Sequence, residues 1–217
     1  MHIICCDLEG VFVPEIWINV AEKTGIEGLR LTTRDISDYN VLMKKRLAIL
    51  EEHNLKLGDI QSVIAGIDPL DGAKDFLDEL RAAWPVIIVS DTFAEFAGPL
   101  MKKLGHPTLF CNSLDVSPDG TIEDYRLRQP DGKKKTTLAL QGLNYRVIAF
   151  GDSYNDISML QTADAAFLFR PPENVVEQYP QFPVTRTYAG ARREIGRALE
   201  ETGDNPAGQT AKHLKNA

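Results

Sequence analysis

Short, wholly apolar runs alternate along this chain with longer stretches in which apolar residues recur at helical spacing. Ile3-Ile4-Cys5-Cys6, Val86-Ile87-Ile88-Val89, Val147-Ile148-Ala149-Phe150 and Ala165-Ala166-Phe167-Leu168-Phe169 show no polar alternation. Runs of that kind read as strands covered on both faces of a parallel sheet. Helical patterns fall over residues 73–83, 93–104 and about 134–140. Strands alternating with helices predict an α/β fold with a doubly wound, mostly parallel, Rossmann-like sheet. Three of the runs end in a carboxylate: Asp7, Asp91 and Asp152. Ligands of open α/β sheets bind at the carboxyl ends of the strands, so chemistry is expected there.

Residues 14–68 break the rhythm. They hold no comparable apolar run and read as helices over 15–23, 38–53 and 58–65, with Asp38 a natural N-cap and Leu42, Leu47 and Leu50 part of one apolar face. About 55 residues are too many for an ordinary βα loop, which predicts an inserted helical cap hinged near Val13-Pro14 and Asp68-Pro69. Ser117-Pro118-Asp119-Gly120 is a turn between β-compatible flanks, so a small β-hairpin is expected over 114–127. The expected division is a catalytic core of 1–13 and 69–200, a cap of 14–68, and a flexible polar tail of 201–217.

Composition narrows the partners. The formal net charge of −7 argues against a chain that wraps nucleic acid, which needs a basic face. No apolar run approaches the roughly 20 residues that span a bilayer, and no leader pattern opens the chain. Three cysteines, Cys5 and Cys6 adjacent, make no disulfide framework and fit a reducing, cytoplasmic setting. Adjacent strand residues point to opposite faces, so Cys5 and Cys6 are expected as core thiols rather than a paired ligand set.

Four pieces carry candidate chemistry. Asp7-Leu8-Glu9-Gly10 sets two carboxylates two residues apart, one able to attack while the other moves protons. Ser90-Asp91-Thr92, read as the opening of a helix, offers a hydroxyl and backbone N–H groups to a phosphate. Lys133-Lys134-Lys135 could neutralise charge between a phosphoryl group and a carboxylate. Gly151-Asp152-Ser153-Tyr154-Asn155-Asp156 places two acids one helical turn apart, able to share oxygen ligands around Mg²⁺. Each of the first three also has a plain structural explanation: a solvated turn, an N-cap and a basic helix start.

Taken in order, Asp7-x-Glu9-Gly10, Ser90, a following lysine and Gly151-Asp152-x-x-Asn155-Asp156 resemble the haloacid dehalogenase superfamily of phosphotransferases. Val13-Pro14-Glu15-Ile16-Trp17, Tyr145-Arg146-Val147-Ile148-Ala149, Pro172-Glu173-Asn174-Val175 and Gln181-Phe182-Pro183 narrow the resemblance. They are similar to the superfamily's branch of bacterial bifunctional phosphoserine phosphatase/homoserine phosphotransferases. Glu9 replaces the superfamily's usual aspartate, a departure typical of that branch.

The resemblance implies Asp7 as nucleophile and Glu9 as proton donor and acceptor. It implies Ser90, Asp91, Asn155 and Lys133 around the phosphate, with Lys133 preferred over Lys134 and Lys135. It implies Mg²⁺ on Asp7, the Glu9 carbonyl and Asp152, with Asp156 anchoring a metal-bound water. Glu15 and Arg46 would pair with the ammonium and carboxylate of O-phosphoserine, and homoserine would be a second phosphoryl acceptor. The rival expectations are a phosphatase for another small phosphomonoester and a receiver-type phospho-aspartate domain. Asp7 on the first strand and the long insertion both weigh against the receiver.

Overall fold

The computed structural model describes residues 1–33, 35–36 and 38–201. The expected tail, apart from Glu201, lies outside the described residues. The apolar runs form strands as their patterns predict: β1 (His2–Cys6), β2 (Val86–Phe93), β5 (Arg146–Gly151) and β6 (Ala165–Phe169). With β3 (Thr108–Val116), β4 (Ile122–Arg126) and β7 (Val184–Thr185) they make a seven-stranded sheet ordered β4-β3-β2-β1-β5-β6-β7. All neighbours are parallel except β3 and β4. The hairpin is thus the sheet's own edge: β3 pairs with β2 through its first half and with β4 through its second.

Strand order reverses direction at β1, which lies between β2 and β5, the two strands ending in Ser90-Asp91 and Gly151-Asp152. That juxtaposition gathers the candidate residues at one edge. On one face pack α4 (Ala73–Ala83), α5 (Ala94–Lys103) and α9 (Tyr188–Glu201); on the other, α6 (Gly132–Gly142), α7 (Ile157–Thr162) and α8 (Glu173–Gln178). Cys6 belongs to the first core and Cys5 to the second, both fully buried, so the adjacent thiols do face opposite ways. Burial pushes the Cys5 thiol up to about 12 and holds Cys6 well above its ordinary value, which keeps both protonated.

Between β1 and α4 run α1 (Ile16–Thr24), a 3₁₀ turn at Glu27–Arg30, α2 (Tyr39–Glu52) and α3 (Leu57–Ala65). Asp38 caps α2 by accepting from the Asn40 and Val41 amides at 2.9 and 3.1 Å. The helices bury Val20, Leu29, Met43, Leu50, Ile60 and Ile64 in the same cluster as Phe93, Phe96 and Leu100. The insertion therefore shares the core's apolar interior.

One expectation needs correction. Ser90-Asp91-Thr92 does not open a helix; it stays in β2, and α5 begins at Ala94. Pairing with β3 jumps from Val89–Phe110 to Phe93–Asn112, so three residues of β2 oppose one of β3. The resulting bulge, rather than a helix terminus, presents Ser90 to the strand edge.

Aromatic rings join the first core. Phe76 lies 4.8 Å from Tyr188, 6.2 Å from Phe150 and 6.4 Å from Phe12, ring centre to ring centre. Phe76→Ala is expected to lower unfolding stability by about 3–5 kcal/mol, the usual cost of emptying a ring-sized site. Urea denaturation measures it; a loss under about 1 kcal/mol would show that the site collapses freely.

Candidate active site

Asp7 leaves the end of β1 with its amide donating to the Phe150 carbonyl at 3.1 Å. Its Oδ1 accepts from the Leu8 amide at 2.8 Å and lies 3.1 Å from Lys133 Nζ. Both contacts fall on Oδ1, and among the described residues Oδ2 is left for another partner. The chain then folds tightly: Phe12 and Val13 donate to the Leu8 carbonyl, and Gly10 to that of Val13. Gly10 has φ +72°, and a Cβ there would lie 2.6 Å from Asp152 Cγ. Only glycine permits both the left-handed backbone and that approach.

Glu9 follows on this turn, and its Oε2 accepts from the Ile16 amide at 2.8 Å, the first residue of α1. Burial, with the charge of Glu15 beside it, pushes the Glu9 carboxyl up to about 8. A carboxyl held there is protonated at neutral pH and can give its proton to a leaving oxygen.

Lys133 opens α6 and is 3% exposed. Its Nζ reaches Asp156 at 2.6 Å, Asp7 at 3.1 Å and Asp91 at 4.0 Å. Burial alone would lower its pKa, but Asp156, Asp7 and Asp91 together raise it well above the ordinary value, so the ammonium is permanent. Lys134 and Lys135 are exposed, and Lys135 turns to Gln129. Of the three consecutive lysines, the structure brings Lys133 alone to the carboxylates.

Asp156 is fully buried, and its two oxygens divide their work. Oδ1 takes the lysine, while Oδ2 accepts from the amides of Asp152 and Ser153, each at 3.0 Å. This carboxylate shapes the loop after β5. Gly151 makes room for it, since a Cβ there would lie 2.2 Å from Asp156 Cγ. Asp7, Asp152 and Asp156 each offer an oxygen within 4.8 Å of the others, all three buried. Burial and the neighbouring Asp156 push the Asp7 carboxyl well above the ordinary carboxylate range, against the pull of Lys133. Three buried acids against one buried lysine leave an excess of negative charge, and an all-oxygen donor set fits a hard divalent cation.

Ser90, nearly buried, accepts from the Thr92 amide at 3.2 Å. The Asp91 carboxylate accepts from Asn155 Nδ2 at 2.8 Å, and Asn155 Oδ1 accepts from Ser153. Asp91 thus faces cationic and amide donors rather than offering its side chain to an anion. A cavity of about 80 Å³ joins these groups: Asp7, Glu9, Ser90, Asp91, Asp152 and Asn155 line its floor, and Glu15, Trp17, Tyr39 and Arg46 its cap side.

Arg46 is the unusual member. It is 6% exposed, its guanidinium lies 4.5 Å over the Trp17 ring, and it donates to the Leu31 carbonyl at 2.8 Å and to Met43 Sδ at 3.6 Å. Its Nε has no hydrogen-bond partner among the described residues. Burial lowers its pKa to about 10, which still leaves it charged. Glu9 and Glu15 lie near enough to favour the charge, yet the buried Nε is left without an acceptor, so the arrangement suits an anionic group arriving in the cavity.

Comparison with known proteins places this geometry. The family model for haloacid dehalogenase-like hydrolases matches residues 3–164. The chain belongs to that family. The hydrolase is 57% identical to phosphoserine phosphatase ThrH of Pseudomonas aeruginosa over 198 residues, 91% of this chain and 97% of the relative. It is 55% identical to a phosphoserine phosphatase of Pseudomonas syringae pv. tomato, covering 91% of this chain and 84% of that one. Two solved phosphoserine phosphatases, one in apo form and one substrate-bound, share the hydrolase's fold, each with TM-score 0.69. They are 22% and 20% identical, covering 85% and 92% of this chain and 94% and 97% of theirs.

Sequence reasoning did not single out Trp17 or Tyr39 as site residues. Trp17 stands in the Val13-Pro14-Glu15-Ile16-Trp17 motif, but nothing in the linear sequence says that Arg46 stacks on it.

The raised Glu9 pKa has a stability consequence. A carboxyl that binds its proton more tightly folded than unfolded costs stability as pH climbs from the ordinary carboxylate range to about 8. Glu9→Gln removes that titration. In cation-free buffer, variant and wild type should melt alike at about pH 4, with the variant gaining steadily toward about pH 9. A melting difference independent of pH would place the Glu9 carboxyl at its ordinary value.

Proposed function

We propose that this hydrolase removes phosphate from O-phosphoserine through an aspartyl phosphate on Asp7, and that it also passes the phosphoryl group to homoserine. The observation that carries the substrate is Arg46: a buried guanidinium with an unpaired Nε, in the cavity that also holds Asp7, Glu9 and Ser90. A phosphomonoester bearing a carboxylate supplies the missing partner, and the arginine fork matches a carboxylate bidentately. Glu15 lines the same cavity and suits the ammonium. The names of the two Pseudomonas relatives support the same substrate.

In the first half-reaction Asp7 Oδ2 attacks phosphorus, the bond from phosphorus to the serine oxygen breaks, and protonated Glu9 gives its proton to that oxygen. In the second, Glu9, now ionised, takes a proton from water as its oxygen attacks phosphorus, releasing phosphate and restoring Asp7. A homoserine hydroxyl in place of water gives the transferred product. Ser90 and Lys133 hold the phosphoryl oxygens, and Lys133 offsets charge built up in the transition state. Asp91 and Asn155 keep Lys133 and the loop after β5 in place. Asp7, the Glu9 carbonyl and Asp152 would hold Mg²⁺, with Asp156 anchoring one of its waters; the ion, when bound, supplies positive charge to the phosphoryl oxygens and keeps Asp7 ionised. Residues 14–68 act as a cap that excludes bulk water, residues 1–13 and 69–200 forming the core, in a cytoplasmic enzyme.

Two variants test the reading. Asp7→Asn should abolish phosphate release from O-phosphoserine, and retained turnover would discard Asp7 as nucleophile. Arg46→Ala should raise the KM for O-phosphoserine by about 10–100-fold while leaving O-phosphoethanolamine, which lacks the carboxylate, nearly unchanged. Equal losses on both substrates would remove Arg46 from carboxylate recognition.

A further inference from the structure

The bulge that presents Ser90 has a structural cost. Where β2 carries three residues opposite one of β3, the Asp91 carbonyl lies inside the register shift, and a partly buried carbonyl there needs donors beyond a regular ladder. It finds two side chains. Asn112 Nδ2 donates to it from β3 at 3.3 Å, and the Tyr39 hydroxyl donates from α2 at 3.1 Å. The donors differ in origin: Asn112 belongs to the sheet, Tyr39 to the inserted helices.

That carbonyl belongs to the Asp91–Thr92 peptide, and the N–H of the same peptide donates to Ser90 Oγ at 3.2 Å. Fixing the peptide plane from its oxygen therefore fixes the donor at its nitrogen. With a lone pair of Ser90 Oγ occupied by that N–H, the hydroxyl proton is kept off that direction and is free to serve the cavity that Ser90 lines with Asp7. Tyr39 is itself held. Its ring meets Tyr125 of β4 edge-on at 5.8 Å, and the Tyr125 hydroxyl donates to Asn40 Oδ1 at 2.7 Å.

We propose that Tyr39 is a positioning residue that couples docking of the inserted helices to the phosphate site: its hydroxyl completes the Asp91 carbonyl and so orients the Ser90 hydroxyl toward the phosphoryl group. The assignment rests on the phosphatase reading for Ser90 and extends it to a residue that lies on the cap side. Lifting the helices removes one of the two donors, so the bulge is fully braced only when the cap is down.

The two products of the proposed reaction probe the two halves of the site separately. Calorimetric titration of Tyr39→Phe with inorganic phosphate and with L-serine, both with Mg²⁺ present, should show phosphate binding weakened about tenfold, as expected for one lost hydrogen bond to a partly buried carbonyl. Serine binding should stay within about twofold of wild type, because Glu15 and Arg46 are untouched. Asn112→Ala should shift phosphate binding in the same direction. Weaker serine binding with phosphate unchanged, equal weakening of both, or no change in either overturns the assignment. A wild-type chain that binds phosphate but not serine would discard the phosphoserine reading and leave the Tyr39 comparison intact; one that binds no phosphate overturns both.

Discussion

Lys133, buried between Asp156 and Asp7, is the interaction on which the site depends. Removing either partner from such a cluster would strand a charge in the interior, at a cost of about 3–5 kcal/mol. The surrounding chain is arranged to make it possible. Gly10 and Gly151 clear space that a methyl group would take from Asp152 and Asp156. Two amides of the loop after β5 hold one oxygen of Asp156, so its other oxygen can meet the lysine. The negative charge of the whole chain is thus compatible with a phosphate site, because the positive charge that matters is local and buried.

The insertion does more than cover the cavity. Glu9 caps α1 through the Ile16 amide, Tyr39 of α2 meets the β2 bulge, and the Lys56 ammonium reaches Asp119 in the hairpin turn at 2.6 Å. Lys103 of α5 donates to the Ala65 and Ile67 carbonyls and to Asp68 at the second junction. Each contact ties the insertion to the core, and those of Glu9 and Tyr39 do so at the strand edge itself. The positions of Glu9, the β2 bulge and the inserted helices are therefore set together.

The apolar runs made β1, β2, β5 and β6 legible, because wholly buried parallel strands write themselves as unbroken hydrophobic segments. The acids at their ends were legible for the same reason. Long-range chemistry was not. The β2 bulge depends on register against β3, and neither Ser90 nor Asp91 announces whether it stands in a strand or caps a helix. Choosing Lys133 from three consecutive lysines drew on resemblance; the reason visible in space is its burial against Asp156, 23 residues away. Helix α9 was missed although Tyr188, Ala191, Ile195, Ala198 and Leu199 fall at helical spacing, because its many charges mask a narrow apolar stripe. Tyr188, whose hydroxyl donates to the Val11 carbonyl at 2.6 Å across most of the chain, braces the turn after Asp7 in a way no local pattern encodes.

Three buried carboxylates, Asp7, Asp152 and Asp156, stand around a single buried lysine, an imbalance that a divalent cation would complete. Thermal unfolding against Mg²⁺ concentration tests this without reference to turnover. A ligand bound only by the folded chain stabilises it increasingly with concentration, so the melting temperature climbs with the logarithm of ligand concentration above Kd. The wild type should melt at progressively higher temperature as Mg²⁺ is added, and Asp152→Asn should lose most of that gain. A wild-type melting temperature indifferent to Mg²⁺, or a gain equal in Asp152→Asn, would contradict the claim that these acids are built around a cation.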